Sequence, residues 1–221
     1  MSTDNHAHGA HTAHVAHHFK TAEQQYSSGK EGIWLFMLTE ILMFGAIFVG
    51  YFYYHNMYPE MFAEGAKSLD WKMGFVNTLV LIFSSFTMAI SISFIQKNEQ
   101  KKAALALATT ILCAAIFMVI KYFEYQHKFH LGLYPGKFLD AAKVGAEHAN
   151  LGLYFGFYYT MTGLHGIHVL IGIGLITWCL IRTVRGDFHS QYWIPVEGVG
   201  LFWHIVDLIW IFLFPLLYLV G

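Results

Sequence analysis

Five long apolar stretches, at residues 32–55, 71–95, 103–125, 149–181 and 199–220, are separated from one another by polar or charged segments. A run of about 20 apolar residues coils into a helix long enough to cross a hydrocarbon core of roughly 30 Å. The pattern therefore predicts an all-α fold, an integral membrane bundle of five transmembrane helices. Between the second and third stretches, Gln96-Lys97-Asn98-Glu99-Gln100-Lys101-Lys102 is short and charged, which makes those spans an antiparallel hairpin. A polar loop is expected over 57–70, with Pro59, Glu60, Glu64, Lys67 and Asp70, and the longest connection over 126–148, with Pro135 and Gly136.

Finer marks qualify individual spans. Trp34, Tyr51, Tyr53 and Tyr54 stand at the ends of the first, where aromatic belts meet the headgroups. The fourth is longer than a bilayer requires, so it tilts or projects. Its Gly152 and Gly156 form a small-xxx-small pair that lets another helix approach closely. Pro215 is expected to kink the last helix.

Residues 1–30 break the pattern. They are polar and carry His6, His8, His11, His14, His17 and His18 with no apolar core, so they are neither a secretory signal nor a span. A disordered, solvated leader is expected. Its imidazoles are good metal ligands, but no spacing in it sets a coordination geometry.

Composition agrees with the membrane assignment: 56% of the 221 residues are hydrophobic and 12% charged, against about 25% charged in soluble domains. The net charge of −1 gives no electrostatic case for binding nucleic acid. Cys113 and Cys179 lie within apolar stretches, which favours buried thiols over a disulfide. Short-loop cations number seven on one side (Lys20, Lys30, Lys97, Lys101, Lys102, Arg182, Arg185) and five on the other (Lys67, Lys72, Lys128, Lys137, Lys143). That balance puts the N-terminus in the cytoplasm and the C-terminus outside.

The candidate chemistry is the set of polar groups inside the spans: Glu40, Asn77, Glu124, His165, His168, His204 and Asp207. Such groups cost several kcal/mol in hydrocarbon by most estimates, so they face a bundle interior, a cavity or a partner. Asn77, Ser84, Ser85 and Thr87 suit hydrogen bonds between helices. Lys121 and Glu124 are three apart, so they pair or Lys121 snorkels outward. His204 and Asp207 share a helix face, so one can orient the other. A heme or metal site would draw on the histidines of the fourth and fifth spans, but His165 and His168 are too close in sequence to ligate opposite faces of one heme. Mutual satisfaction within the bundle and contact with a neighbouring subunit is the favoured account. Glu40 stands alone on its helix, and without a cation to reach it the neutral carboxyl is expected. Its role is a proton relay or a structural bond.

Several segments, in order, resemble subunit III of heme-copper terminal oxidases. They are Thr39-Glu40 before Ile-Leu-Met-Phe, Val76-Asn77-Thr78-Leu79-Val80-Leu81, Glu124-Tyr125, Thr162-Gly163-Leu164-His165-Gly166-Ile167-His168-Val169, and Trp203-His204-Ile205-Val206-Asp207-Leu208-Ile209-Trp210-Ile211-Phe212-Leu213. The resemblance covers about 31–221 and implies the five-helix bacterial form in the inner (plasma) membrane. It implies a chain with no catalytic residue, cofactor or metal of its own, heme and copper residing in partner subunits. The chain would pack directly on subunit I, beside subunit II and other respiratory-complex subunits, and hold bound phospholipid. It would support proton uptake and the durability of an enzyme that reduces O₂ to water with cytochrome c or quinol as donor. By the same resemblance Glu40 matches a membrane-buried glutamate and Arg182 an arginine associated with lipid headgroups. Val49 stands where many members carry a lipid-contacting tryptophan. The alternatives are a subunit III-like companion of a nitric oxide reductase and, in a different class, an independent membrane transporter or cytochrome.

Overall fold

The computed structural model describes residues 22–139, 151–190 and 192–220. The histidine cluster of the leader, Lys20 and Lys143 lie outside them. Helices run over α1 (Ala22–Met57), α2 (Pro59–Lys67), α3 (Trp71–Gln96), α4 (Gln100–His130), α5 (Gly152–Val184) and α6 (Ile194–Tyr218). All but α2 are long and apolar enough to cross a membrane.

The helices outrun the apolar stretches. α1 starts at Ala22, inside the segment expected to be disordered, because Ala22-Glu23-Gln24-Gln25 are strong helix formers that extend an existing helix without a new nucleus. α2 replaces part of the expected polar loop. Pro59 opens it, Glu60 lies in its first turn and Lys67 in its last, all suited to the helix ends, and its Phe62 and Ala66 are buried. α4 continues to His130, and Pro195 in the first turn of α6 lets that helix begin at Ile194.

Helices α3, α4, α5 and α6 form a ring in which each packs on the next and α6 closes back on α3. α1 leans on α6 and α5 from outside the ring. The most apolar window of α6 is 61% buried and that of α1 only 11%. The outer surface is correspondingly apolar, with Trp34, Leu38, Leu42, Val49, Tyr53 and Tyr54 exposed on α1. Tyr51 departs from the belt expectation. It is fully buried, and its hydroxyl donates to the Leu216 carbonyl at 2.9 Å while the Tyr154 hydroxyl donates to Leu217 at 2.8 Å. Both carbonyls lie in the last turn of α6, where no helical N–H follows to bind them. Pro215 sits in that same turn.

The α3–α4 turn is tight for a stated reason. Asn98 adopts φ 59°, its N–H bonds Ile95 and that of Glu99 bonds Phe94, which closes α3 in a Schellman turn. The Asn98 side chain also bonds Ser190, accepting from its N–H at 2.9 Å, and so ties this hairpin to the α5–α6 loop. Gly152 does not serve helix pairing as expected: a side chain there would strike the carbonyl of Gly136 in a 3₁₀ turn, and Gly156 has open space. Close helix approach occurs instead at Gly172, where an added Cβ would lie 2.6 Å from the Trp203 ring.

Candidate functional site

The interior of the ring is mostly apolar, and the polar groups within it gather in separate clusters. Where α4 ends and α5 begins, Glu124 lies among two lysines and two tyrosines, all buried. Lys121 Nζ is 3.0 Å from Glu124 Oε2 and Lys128 Nζ is 3.6 Å from Oε1. The Tyr158 and Tyr218 hydroxyls donate to Oε1 at 2.9 and 2.6 Å. Lys121 further donates to both hydroxyls, at 3.2 and 3.0 Å, and lies over the rings of Tyr125, Tyr158, Trp210 and Tyr218. One carboxyl thus joins α4, α5 and α6, and Lys121 pairs inward rather than snorkelling. Lys128, counted above as a loop cation, is a buried member of α4. Its position four residues after Glu124, one helical turn away, was the signal for it. Tyr158 and Tyr218 carried no such signal within their apolar surroundings.

Further along the ring, α3 and α6 are stitched together by hydroxyls. Trp203 Nε1 donates to Ser84 Oγ at 3.1 Å, and Ser84 Oγ lies 3.3 Å from Asp207 Oδ2. Ser85 Oγ and His204 Nδ1 share a hydrogen bond at 2.6 Å. Thr87 bonds Thr110 of α4 at 2.8 Å. The expectation that His204 and Asp207 orient each other directly is therefore corrected: His204 meets Ser85, and Asp207 lies within reach of both Ser84 and Ser85, because α3 presents its hydroxyls to this face of α6. His204→Ala removes one interhelical hydrogen bond and is expected to cost about 0.6–2 kcal/mol. Thermal unfolding of the intact complex should register that loss, with O₂ reduction persisting. Immediate loss of all O₂ reduction in a normally assembled variant would contradict it.

Glu40 is not alone. His168 of α5 reaches α1 and places Nε2 2.8 Å from Glu40 Oε2. His168 Nδ1 lies 2.7 Å from the Leu164 carbonyl, which can only accept, so Nδ1 carries hydrogen. That leaves Nε2 as the ring nitrogen that faces the Glu40 carboxyl oxygen. The oxygen lies off the line of a well-directed ring hydrogen bond, which makes the contact mainly electrostatic. Together with the Tyr51 hydroxyl on the Leu216 carbonyl, it ties α1 to the ring through polar groups.

His165 points elsewhere, fully buried between the rings of Phe117 at 5.5 Å and Trp210 at 5.1 Å. Three positions separate it from His168, yet the two do not converge. Asn77 is fully buried too, and neither it nor His165 has a hydrogen-bond partner among the described residues. Arg182, at the end of α5, pairs through Nε with Asp187 at 2.8 Å and stacks over Trp178 and Phe188. Cys113 and Cys179 are buried free thiols. Among the described residues, no three of His, Cys, Asp or Glu gather as a metal-ligand set.

Comparison with known proteins places this geometry. The family model for cytochrome c oxidase subunit III matches residues 1–221. A Prototheca wickerhamii protein named cytochrome c oxidase subunit 3 is 32% identical over 198 residues, covering 86% of this chain and 68% of that one. An Aeropyrum pernix protein named heme-copper oxidase subunit I+III is 28% identical over 86% of this chain and 22% of its own length. A Staphylococcus haemolyticus protein named "Probable quinol oxidase subunit 3" is 26% identical over 94% of this chain and 98% of its own. The chain belongs to the cytochrome c oxidase subunit III family, a multi-pass membrane subunit of a heme-copper oxidase.

Proposed function

We propose that this chain is the non-redox accessory subunit III of a proton-pumping heme-copper oxidase that reduces O₂ to water. In that complex it packs on subunit I, lies beside subunit II, holds phospholipid against its apolar flank, and sustains proton uptake and durability in the catalytic subunit. Heme and copper belong to the partners. The observation that carries this is how the ionisable groups are used: Glu124 is bonded by Tyr158 of α5 and Tyr218 of α6, Glu40 is met by His168, and His204 by Ser85, each contact joining one helix to another. These are the contacts of a scaffold. The single polypeptide in which a relative unites subunits I and III supports direct docking on subunit I.

The orientation proposed, N-terminus cytoplasmic in a bacterial inner membrane, gains from the burial of Lys128. Removing that lysine from the loop count widens the cation excess on the N-terminal side.

Tagging the full chain in its native membrane and identifying what co-purifies tests the assignment. Subunits I and II should be recovered, and their hemes should account for the whole optical spectrum. A stoichiometric heme spectrum on this polypeptide alone would overturn the accessory role. Glu40→Gln keeps hydrogen-bonding shape but removes titration. It should preserve subunit content and most O₂ reduction, with losses confined to proton coupling or durability during turnover. Abrupt loss of O₂ reduction with intact subunit content would contradict that.

A further inference from the structure

Three residues with unpartnered buried atoms, Asn77, His165 and Asp207, lie in the middle of the ring, whereas Gln100 Oε1 lies apart, beside the α5–α6 loop. Asn77 lies on α3 and His165 on α5, the two helices that face each other diagonally across the ring, and both side chains are fully buried. Trp210 of α6 connects them. Its ring lies 5.1 Å from that of His165, and its Nε1 donates to Thr78, the residue after Asn77, at 3.1 Å. Phe117 of α4 packs against both rings, 4.8 Å from Trp210 and 5.5 Å from His165. One helical turn before Trp210 on α6, Asp207 adds Oδ1 to the two unpartnered atoms each of Asn77 and His165. Its Oδ2 lies 3.3 Å from the Ser84 hydroxyl, whose hydrogen the Leu81 carbonyl also takes at 2.7 Å, and Ser85 stands within reach of the same carboxyl.

Buried polar atoms in folded proteins are almost always hydrogen-bonded, to protein or to ordered water. Inside a membrane bundle no bulk solvent makes up the shortfall. Asn77 offers two N–H donors and a carbonyl acceptor, a neutral His165 one donor and one acceptor, and Asp207 Oδ1 an acceptor. Water, with two donors and two acceptors, matches this mixed set, and internal waters need two to four such partners. An ion does not suit it, since cations and anions each use only one kind of group, and both kinds are present in nearly equal number.

We infer that Asn77, His165 and Asp207 hold internal water on the axis of the α3–α6 ring, so the bundle has a hydrated polar centre beneath its apolar shell. The site lies between the Glu124 cluster and the Ser84–Asp207 contact, and Trp210 spans the two: Lys121 Nζ is 5.1 Å from its ring.

Hydroxyl-radical footprinting by synchrotron X-rays, on the full chain with its co-purified subunits in lipid nanodiscs, tests this. Radicals born from bound water oxidise the side chains they touch, whatever their distance from bulk solvent. Phe117 should be oxidised several-fold faster than Phe62 and Phe155, which are as deeply buried but pack on tyrosine rings such as Tyr154 rather than on His165. Labelled oxygen from H₂¹⁸O should enter Phe117 more slowly than exposed Phe52. Equal, background oxidation of Phe117, Phe62 and Phe155 overturns the inference. Asn77→Leu and His165→Leu give a second readout that does not depend on radical chemistry. With shared water, each single change lowers the unfolding midpoint, and the double variant loses less than the sum. In a dry centre, each change would relieve an unsatisfied group, raise the midpoint and add independently, which also overturns the inference.

Discussion

Glu124→Ala is expected to be the most damaging single substitution inside the bundle, lowering stability by about 3–5 kcal/mol, as breaking a buried ion pair from one side does. Against a total that is typically about 5–15 kcal/mol, such a loss leaves little of the folded state. Removing the carboxyl strands Lys121 and Lys128 together, 2–6% exposed, with their mutual repulsion uncompensated. It also leaves the Tyr158 and Tyr218 hydroxyls without the acceptor they share. The defect would unpin α4, α5 and α6 at one end, because all three meet on this side chain. Replacing Lys121, Glu124 and Lys128 together by methionine removes the charges as a set and should recover much of the loss. Thermal unfolding followed by tryptophan fluorescence in nanodiscs provides the comparison. A Glu124→Ala chain that melts with the wild type, or a triple variant less stable than the single, would show that the cluster does not bear on stability as argued.

The second large effect should follow Gly172→Ala. Its new methyl would stand 2.6 Å from both Cε3 and Cζ3 of Trp203, well inside contact distance. That indole cannot swing aside: it is fully buried and held by its N–H on Ser84. Overpacking of this kind typically costs about 1–3 kcal/mol. Trp203→Leu alone should cost a comparable amount or more through the cavity and the lost hydrogen bond. With Trp203 already reduced to leucine, adding Gly172→Ala should be nearly free, since the methyl then enters vacated space. Additive losses in that double variant, measured by the same melting experiment, would rule out direct contact as the cause.

The family motifs acquire distinct physical meanings in this light. In the fourth apolar stretch, His165 and His168 look alike on paper. One reaches out to Glu40 and ties α1 to the ring, while the other turns inward between Phe117 and Trp210. In the last, the Trp203-His204-x-x-Asp207 group sends each of its members to α3 rather than to each other.

The sequence by itself determined the five spans, their order, the α3–α4 hairpin and the set of polar groups that had to be turned away from lipid. These follow from local chemistry: apolar run length sets a membrane helix, a short charged turn sets an antiparallel neighbour, and an ionisable group in hydrocarbon needs shelter wherever it ends up. The Glu124–Lys121 pair was legible for the same reason, being three residues apart on one helix. Pairings across helices were not. Whether Glu40 would meet His168, whether Lys128 would be loop or core, and which glycine would admit a neighbouring indole depend on helix rotation and crossing, which no single segment encodes. Only the packed ring, by bringing α6 against α3 and α5 against α1, decided which buried group answers which.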